Sequence, residues 1–292
     1  MNAIANHKLV DYLRLMRVDR PIGIYLLLWP TLWGLWFAAG GMPDMHVLTV
    51  FVIGTVLMRS AGCAINDFAD RHFDPHVNRT QQRPLVTGRV TPDEAVRLFV
   101  VVSLIAFGLL TSLKNTLALA LAVPAAVLAA SYPFAKRYIS IPQAVLGVAF
   151  SWGIPMGYAA IRHVVDWADV VPLMAANIFW VIAYDTYYAM VDRSDDLRIG
   201  VKSSAVFFGH YDRLVIGWLQ FAALGLLAYV GVRNGSGPAY YVGLAVAAVL
   251  AVQELWMTRA RDPQACFRAF LHNHWFGAAV FAGLAIDHLL RT

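Results

Sequence analysis

Windows of roughly 20 mainly apolar residues, the length a helix needs to cross a hydrocarbon core, recur along the whole chain. Nine fall near residues 20–39, 47–66, 94–111, 115–132, 141–161, 168–190, 209–231, 239–257 and 271–290. A lipid solvent satisfies no backbone polar group, so only helices and closed β-barrels can span it. These runs are continuous and rich in Leu and Ala instead of alternating every second residue, which selects helices. With 59% hydrophobic and 14% charged residues over 292 positions, the chain is too apolar for an ordinary soluble domain. The expected fold is all-α, a polytopic bundle of nine transmembrane helices in the lipid bilayer. Short connections without low-complexity linkers predict a single integral domain over residues 1–292.

Orientation follows from Lys and Arg, which cytoplasmic loops retain. Sixteen of them lie in one alternate set of segments: Lys8 to Arg20, Arg71 to Arg89, Lys136 and Arg137, Arg193 to Lys202, and Arg259 to Arg268. The other set holds four: Lys114, Arg162, Arg233 and Arg291. The N-terminus is therefore expected in the cytoplasm. Residues 1–19 show no long apolar run or cleavage site; Leu9, Leu13 and Met16 against Lys8, Arg14 and Arg17 predict a short interfacial helix. The net charge of +5 is absorbed by this topology, leaving no basic patch for nucleic acid. Cys63 and Cys266 lack CxxC spacing, so neither a disulfide nor zinc is expected.

Two acidic clusters end apolar segments on the same side. Asn66, Asp70 and Asp74 repeat every four residues and stack on one helical face, with Arg59 and Cys63 continuing the stripe. Pro75 places the cluster at a helix C-terminus, where the dipole opposes Asp67, Asp70 and Asp74 together. Thr91-Pro92-Asp93-Glu94 reads as a capping box that starts the next helix near residue 92. Between them, Arg79 and Arg83 are open to two readings, as membrane-surface charges or as a lid over a phosphate; Arg89 reads as the former. In the second cluster Asp185, Tyr188, Asp192 and Asp196 again share a face. Paired across a bundle mouth, the clusters make an oxygen-rich site suited to Mg2+, which bridges a few carboxylates to phosphate oxygens. His72 and His76 lack the tight His/Cys grouping that zinc needs. Phe179, Trp180, Tyr184, Tyr187 and Tyr188 read as an interfacial belt or as π-faces for a carbocation, with Tyr188 the best placed for the latter.

Arg20-Pro21-Ile22-Gly23, Leu28-Trp29-Pro30-Thr31-Leu32-Trp33, Ala61-Gly62-Cys63 before the first cluster, Arg83-Pro84-Leu85, Tyr132-Pro133-Phe134 before Lys136-Arg137, and Tyr188-Ala189-Met190-Val191-Asp192-Arg193 before Asp195-Asp196 and Gly200-x-Lys202-Ser203 occur in order. On these, over residues 14 to about 275, the chain resembles the intramembrane aromatic prenyltransferases, most closely those acting on 4-hydroxybenzoate in ubiquinone synthesis. Ser194 is a small departure, where such proteins often carry Asp. The resemblance implies a cavity capped on the cytoplasmic side and open sideways to lipid, in a multi-pass protein of the bacterial inner membrane. Asn66, Asp70, Asp74, Asp185, Asp192 and Asp196 would hold Mg2+ on the diphosphate of a polyprenyl donor. Arg71, Lys136 and Lys202 would offset leaving-group charge, and Arg59 or Arg137 would meet the carboxylate of 4-hydroxybenzoate. Another aromatic acceptor, a naphthoate or homogentisate, is the nearest alternative. A transporter is the alternative of another class, but its charges would lie at mid-membrane instead of at one face. Prenyl chain length and oligomeric state are not readable from generic Leu, Val and Ala.

Overall fold

The computed structural model of the chain describes residues 2–291, with the side chains of residues 2–7 and of Lys136 outside that description. Among the described residues there is no strand, and nine helical spans are long and apolar enough to cross a membrane. Helix α1 (Asn2–Leu15) precedes the first span. The spans are α2 (Ile22–Ala39), α3 (Met45–Asp70), α4 (Pro92–Thr111), α5 (Thr116–Ser131), α6 with α7 (Pro142–Ser151, Gly153–Arg162), and α8 (Trp167–Ile199). Then follow α9 (Ser204–Phe208) leading into α10 (Asp212–Arg233), α11 (Pro238–Met257), and α12 with α13 (Pro263–His272, His274–Arg291).

Local chemistry sets most boundaries. Asp44, Asn115, Asp166 and Asp262 accept backbone N–H groups of the first turns of α3, α5, α8 and α12. Thr91 and Glu94 form the expected reciprocal capping box on α4. Gly40 and Gly200 end α2 and α8 in left-handed conformations at φ 64° and 72°.

Three spans depart from the apolar windows. The sixth window stops at residue 190, yet α8 continues to Ile199, because its acidic residues stay helical along one face up to the Gly200 cap. The fifth span breaks between α6 and α7 at Trp152, just before Pro155, which has no N–H for the carbonyl of Ser151. The ninth begins at Pro263, well before residue 271, since the polar Gln264 and Arg268 on α12 mask the buried face of Cys266, Ala269 and Phe270. Its break lies at Asn273, whose side chain donates to Ala269 O and accepts from Trp180 Nε1 at 3.1 Å.

The core is aromatic where α2, α8 and α13 meet. Trp180 lies 5.5 Å from Trp33, 5.4 Å from Phe276 and 5.2 Å from Tyr184 between ring centroids, all four fully buried. Such pairs add about 0.5–1.5 kcal/mol each beyond their burial. At the bundle end away from the acidic clusters, Arg162 donates to the carbonyls of Phe37 and Ala38, and Arg233 pairs with Asp169 at 2.9 Å. The helices differ in how much protein covers them. Only 22% of the most apolar stretch of α4 is buried, and 11% of that in the span containing α5, against 61% in α2.

Candidate active site

Both acidic clusters face one cavity of about 1340 Å³. Asn66, Asp70 and Asp74 line it from the end of α3 and the turn beyond, and Asp185, Tyr188, Asp192 and Asp196 line it from α8. The α-helix ends at Asp70, so Asp74 is not on the helical face that its four-residue spacing suggests. It opens a 3-10 turn at Asp74–His76 with Pro75 inside, and that turn swings its carboxylate back into the cavity. Asn66 Nδ2 donates to Asp70 Oδ2 at 3.3 Å, which ties the first two members together.

The segment between α3 and α4 crosses the cavity mouth and joins the clusters. Arg79 donates from Nε and Nη2 to the two oxygens of Asp192, at 3.2 and 2.5 Å, and its guanidinium stands 4.3 Å over the Tyr188 ring. Arg83 bridges Asp67 at 2.9 Å and Asp74 at 2.6 Å. Asp67, 1% exposed, also accepts from Arg17 at 2.6 Å, so the segment following α1 is clamped to the same cluster. The far side is fixed by Asn78 N donating to Asp195 and by Arg198 donating to His76 O. Burial raises the Asp74 carboxyl to about 6 against the pull of Arg83, with Asp70 and Asp67 adding to the rise. Burial alone would lower the Arg83 guanidinium; Asp67 and Asp74 reverse this and hold it above its ordinary value.

Arg59 lies deeper, seven residues before Asn66 on α3, about 10 Å along the helix axis. Its Nη1 donates to Cys63 Sγ at 2.8 Å, its Nε is buried without a partner, and Phe150 lies 6.0 Å away. No carboxylate among the described residues pairs with it. Arg59, Tyr132 and Phe150 also border a second, apolar cavity of about 200 Å³ between α3, α4 and α5.

Other basic residues divide. Lys202 lines the large cavity and donates to Tyr138 O at 3.0 Å. Arg71 does not: its guanidinium folds back onto Phe68, donating to the Phe68 carbonyl at 2.8 Å and stacking 4.4 Å over the ring. Arg137 is exposed, donates to Ala69 O at 2.6 Å and packs beside Phe73 and Phe134, outside the cavity lining. The side chain of Lys136 lies outside the described residues. Of the aromatic group, Tyr184 and Tyr188 line the cavity, whereas Trp180 and Tyr187 are core residues. Arg79 and Arg83, open to two readings from the sequence, line the cavity, as do Arg17 and Arg268, read there only as cytoplasmic-side charges, and Gln143. The signals for Arg79 and Arg83 are their four-residue spacing and the Arg83-Pro84-Leu85 motif; Arg17, Arg268 and Gln143 carry none.

Among the described residues no three His, Cys, Asp or Glu side chains converge as a ready metal cage. The donor set nevertheless fits a hard divalent cation shared with a phosphate ligand: five carboxylates and one amide, all oxygen-bearing, on two facing elements.

A membrane-spanning helical bundle with an acidic cavity at one end is thus the class that fold and site define. The chain belongs to the UbiA prenyltransferase family, whose model matches residues 27–277. It is 56% identical over 281 residues to a 4-hydroxybenzoate octaprenyltransferase of Thiobacillus denitrificans, covering 96% of this chain and 95% of that one. A protein of the same name from Pseudomonas aeruginosa is 55% identical over 96% of this chain and 94% of its own. Among solved structures, a UbiA homologue from Aeropyrum pernix superposes with a TM-score of 0.80 at 26% identity, covering 91% of this chain and 97% of that one. A homologue from Archaeoglobus fulgidus, solved with DMAPP and Mg2+, shares the fold at a TM-score of 0.69 and 18% identity, covering 94% of this chain and 99% of that one.

Proposed function

We propose that this protein transfers a polyprenyl group from polyprenyl diphosphate to 4-hydroxybenzoate, at the ring carbon ortho to the hydroxyl, in the bacterial inner membrane with its N-terminus in the cytoplasm. The observation that carries this reading is one cavity holding two facing acidic clusters at its mouth and an arginine without a carboxylate partner deeper in. Two anionic substrates, a diphosphate and a benzoate, match those two places.

Asn66, Asp70, Asp74, Asp185, Asp192 and Asp196 would hold Mg2+, which when bound neutralises diphosphate oxygens and stabilises the departing charge. Arg79 and Arg83 pair with Asp192 and Asp74, Lys202 lines the same cavity, and the three would add positive charge to the leaving group. Arg71 is folded onto Phe68, outside the cavity lining. The allylic C–O bond breaks, its electron pair leaving with the diphosphate, and Tyr188 in the cavity lining would offer the cation left on the prenyl carbon the ring face that Arg79 does not cover. Such a contact contributes about 0.5–2 kcal/mol. Arg59 orients the acceptor by its carboxylate, the ring carbon forms the new C–C bond, and loss of the ring proton to a cavity carboxylate restores aromaticity. Tyr25 and His274, 5.9 Å apart on α2 and α13, also line the cavity, and the prenyl tail would run past them toward lipid.

The test is direct: membranes containing the protein are supplied with a panel of aromatic acids, one polyprenyl diphosphate, and Mg2+ or EDTA. Mass spectrometry should find a prenylated 4-hydroxybenzoate that disappears with EDTA. A product from naphthoate or homogentisate alone would move the acceptor assignment, and no product from any acid would overturn the function.

A further inference from the structure

Gly23 sits in the first turn of α2, directly against the guanidinium of Arg59 on α3. A Cβ at that position would lie 2.7 Å from Arg59 Cζ and closer still to Nε and Nη2, nearer than real Cβ atoms approach anything. Gly23 is φ-ordinary and helical, so no turn geometry calls for glycine there. Helix propensity alone would favour alanine at this position. What the missing side chain provides is room, and the group that fills it is one charged head. That head is enclosed: Cys63 Sγ takes one N–H, Phe150 stands on one side, and Gly23 forms the other wall.

We propose that Gly23 is a specificity-determining residue for the acceptor, the seat that aims the Arg59 guanidinium at a carboxylate-bearing aromatic substrate. The inference rests on the reading of Arg59 as the carboxylate partner. The Nε–Nη2 edge of the guanidinium rests against Gly23, so any side chain at position 23 displaces that edge and turns the whole group, Nη1 included, out of its enclosure. Because the arginine acts on one substrate and the acidic clusters on the other, the loss falls on the acceptor and not on the donor.

The experiment compares wild type with Gly23→Ala, Arg59→Gln and, as a packing control on the same helix, Gly34→Ala, whose Cβ would press on Ile154 Cα at 3.0 Å. Each is assayed with 4-hydroxybenzoate and with 4-hydroxybenzamide, a neutral analogue, at saturating donor, and the donor KM and thermal midpoint are measured alongside. Gly23→Ala should lower the acid-over-amide ratio of kcat/KM by roughly 10- to 100-fold, with donor KM and thermal midpoint held. Gly34→Ala should lower the thermal midpoint and leave the ratio alone. If Arg59→Gln keeps the preference for the acid, the role given to Arg59 falls and the inference falls with it. If Arg59→Gln loses the preference while Gly23→Ala keeps it, the Gly23 inference alone is overturned.

Discussion

Asp67 shows how charge is managed at the cavity mouth. It is buried, accepts from both Arg17 and Arg83, and has no place in the four-residue register of Asn66, Asp70 and Asp74. Its task is to hold the arginine that also reaches Asp74. Asp67→Leu strands the Arg17 guanidinium and leaves Arg83 with Asp74 alone, and breaking a buried pair in this way costs about 3–5 kcal/mol. The thermal midpoint in detergent should fall sharply, whereas Asp19→Asn, at a half-exposed carboxylate, should leave it in place. Asp192→Asn acts differently: the helix persists, and turnover with Mg2+ should drop on the order of 10²–10³-fold while membrane insertion is retained. Most of the carboxylates were legible because helical periodicity puts Asp70 on the Asn66 face of α3 and Asp185, Asp192 and Asp196 on one face of α8, whereas Asp74 reaches the cavity through the 3-10 turn beyond α3. Their arginine partners were not, because a loop of some twenty residues carries Arg79 and Arg83 across the mouth, and no local pattern encodes that path. Arg71 and Arg137 turn away from the cavity lining for a related reason: proximity in sequence to an acidic cluster does not decide which way a side chain turns.

At the scale of elements, the apolar windows located all nine spans, since lipid burial is written in composition. What they missed is where a span changes character. Helix α8 outlasts its apolar stretch, and α12 hides its apolar face behind Gln264 and Arg268. Contact between helices is set by single small residues, which composition does not reveal. Helices α11 and α13 cross where Gly243 meets Gly283: a Cβ on Gly243 would lie 2.8 Å from Gly283 Cα, backbone against backbone. Close approach of this kind is a common means of helix association where no hydrophobic effect operates. Gly283→Leu therefore has nowhere to go, and a penalty of at least about 1–3 kcal/mol follows from overpacking. Gly225→Leu on α10, where a Cβ would meet open space, is the matched control and should unfold at the wild-type temperature.

For the whole molecule, the asymmetry of Lys and Arg and the shared cavity fit one integral domain with its chemistry on the cytoplasmic side. A membrane-impermeant thiol reagent tests the orientation: cysteine placed at exposed His72 should react only from the cytoplasm, and cysteine at exposed Met42, beyond the opposite end of α2, only from outside. Labelling of His72→Cys from the outer face would invert the topology and remove the proposed access of diphosphate from the cytoplasm. The uneven covering of the bundle has a consequence of its own. Helix α4 leans on α3 along one face and α5 is thinly covered, so acyl chains would meet most of their remaining surface. Detergents that replace those chains poorly should loosen this flank first, with the border of the small cavity beside Arg59 giving way before the aromatic layer around Trp180 is disturbed.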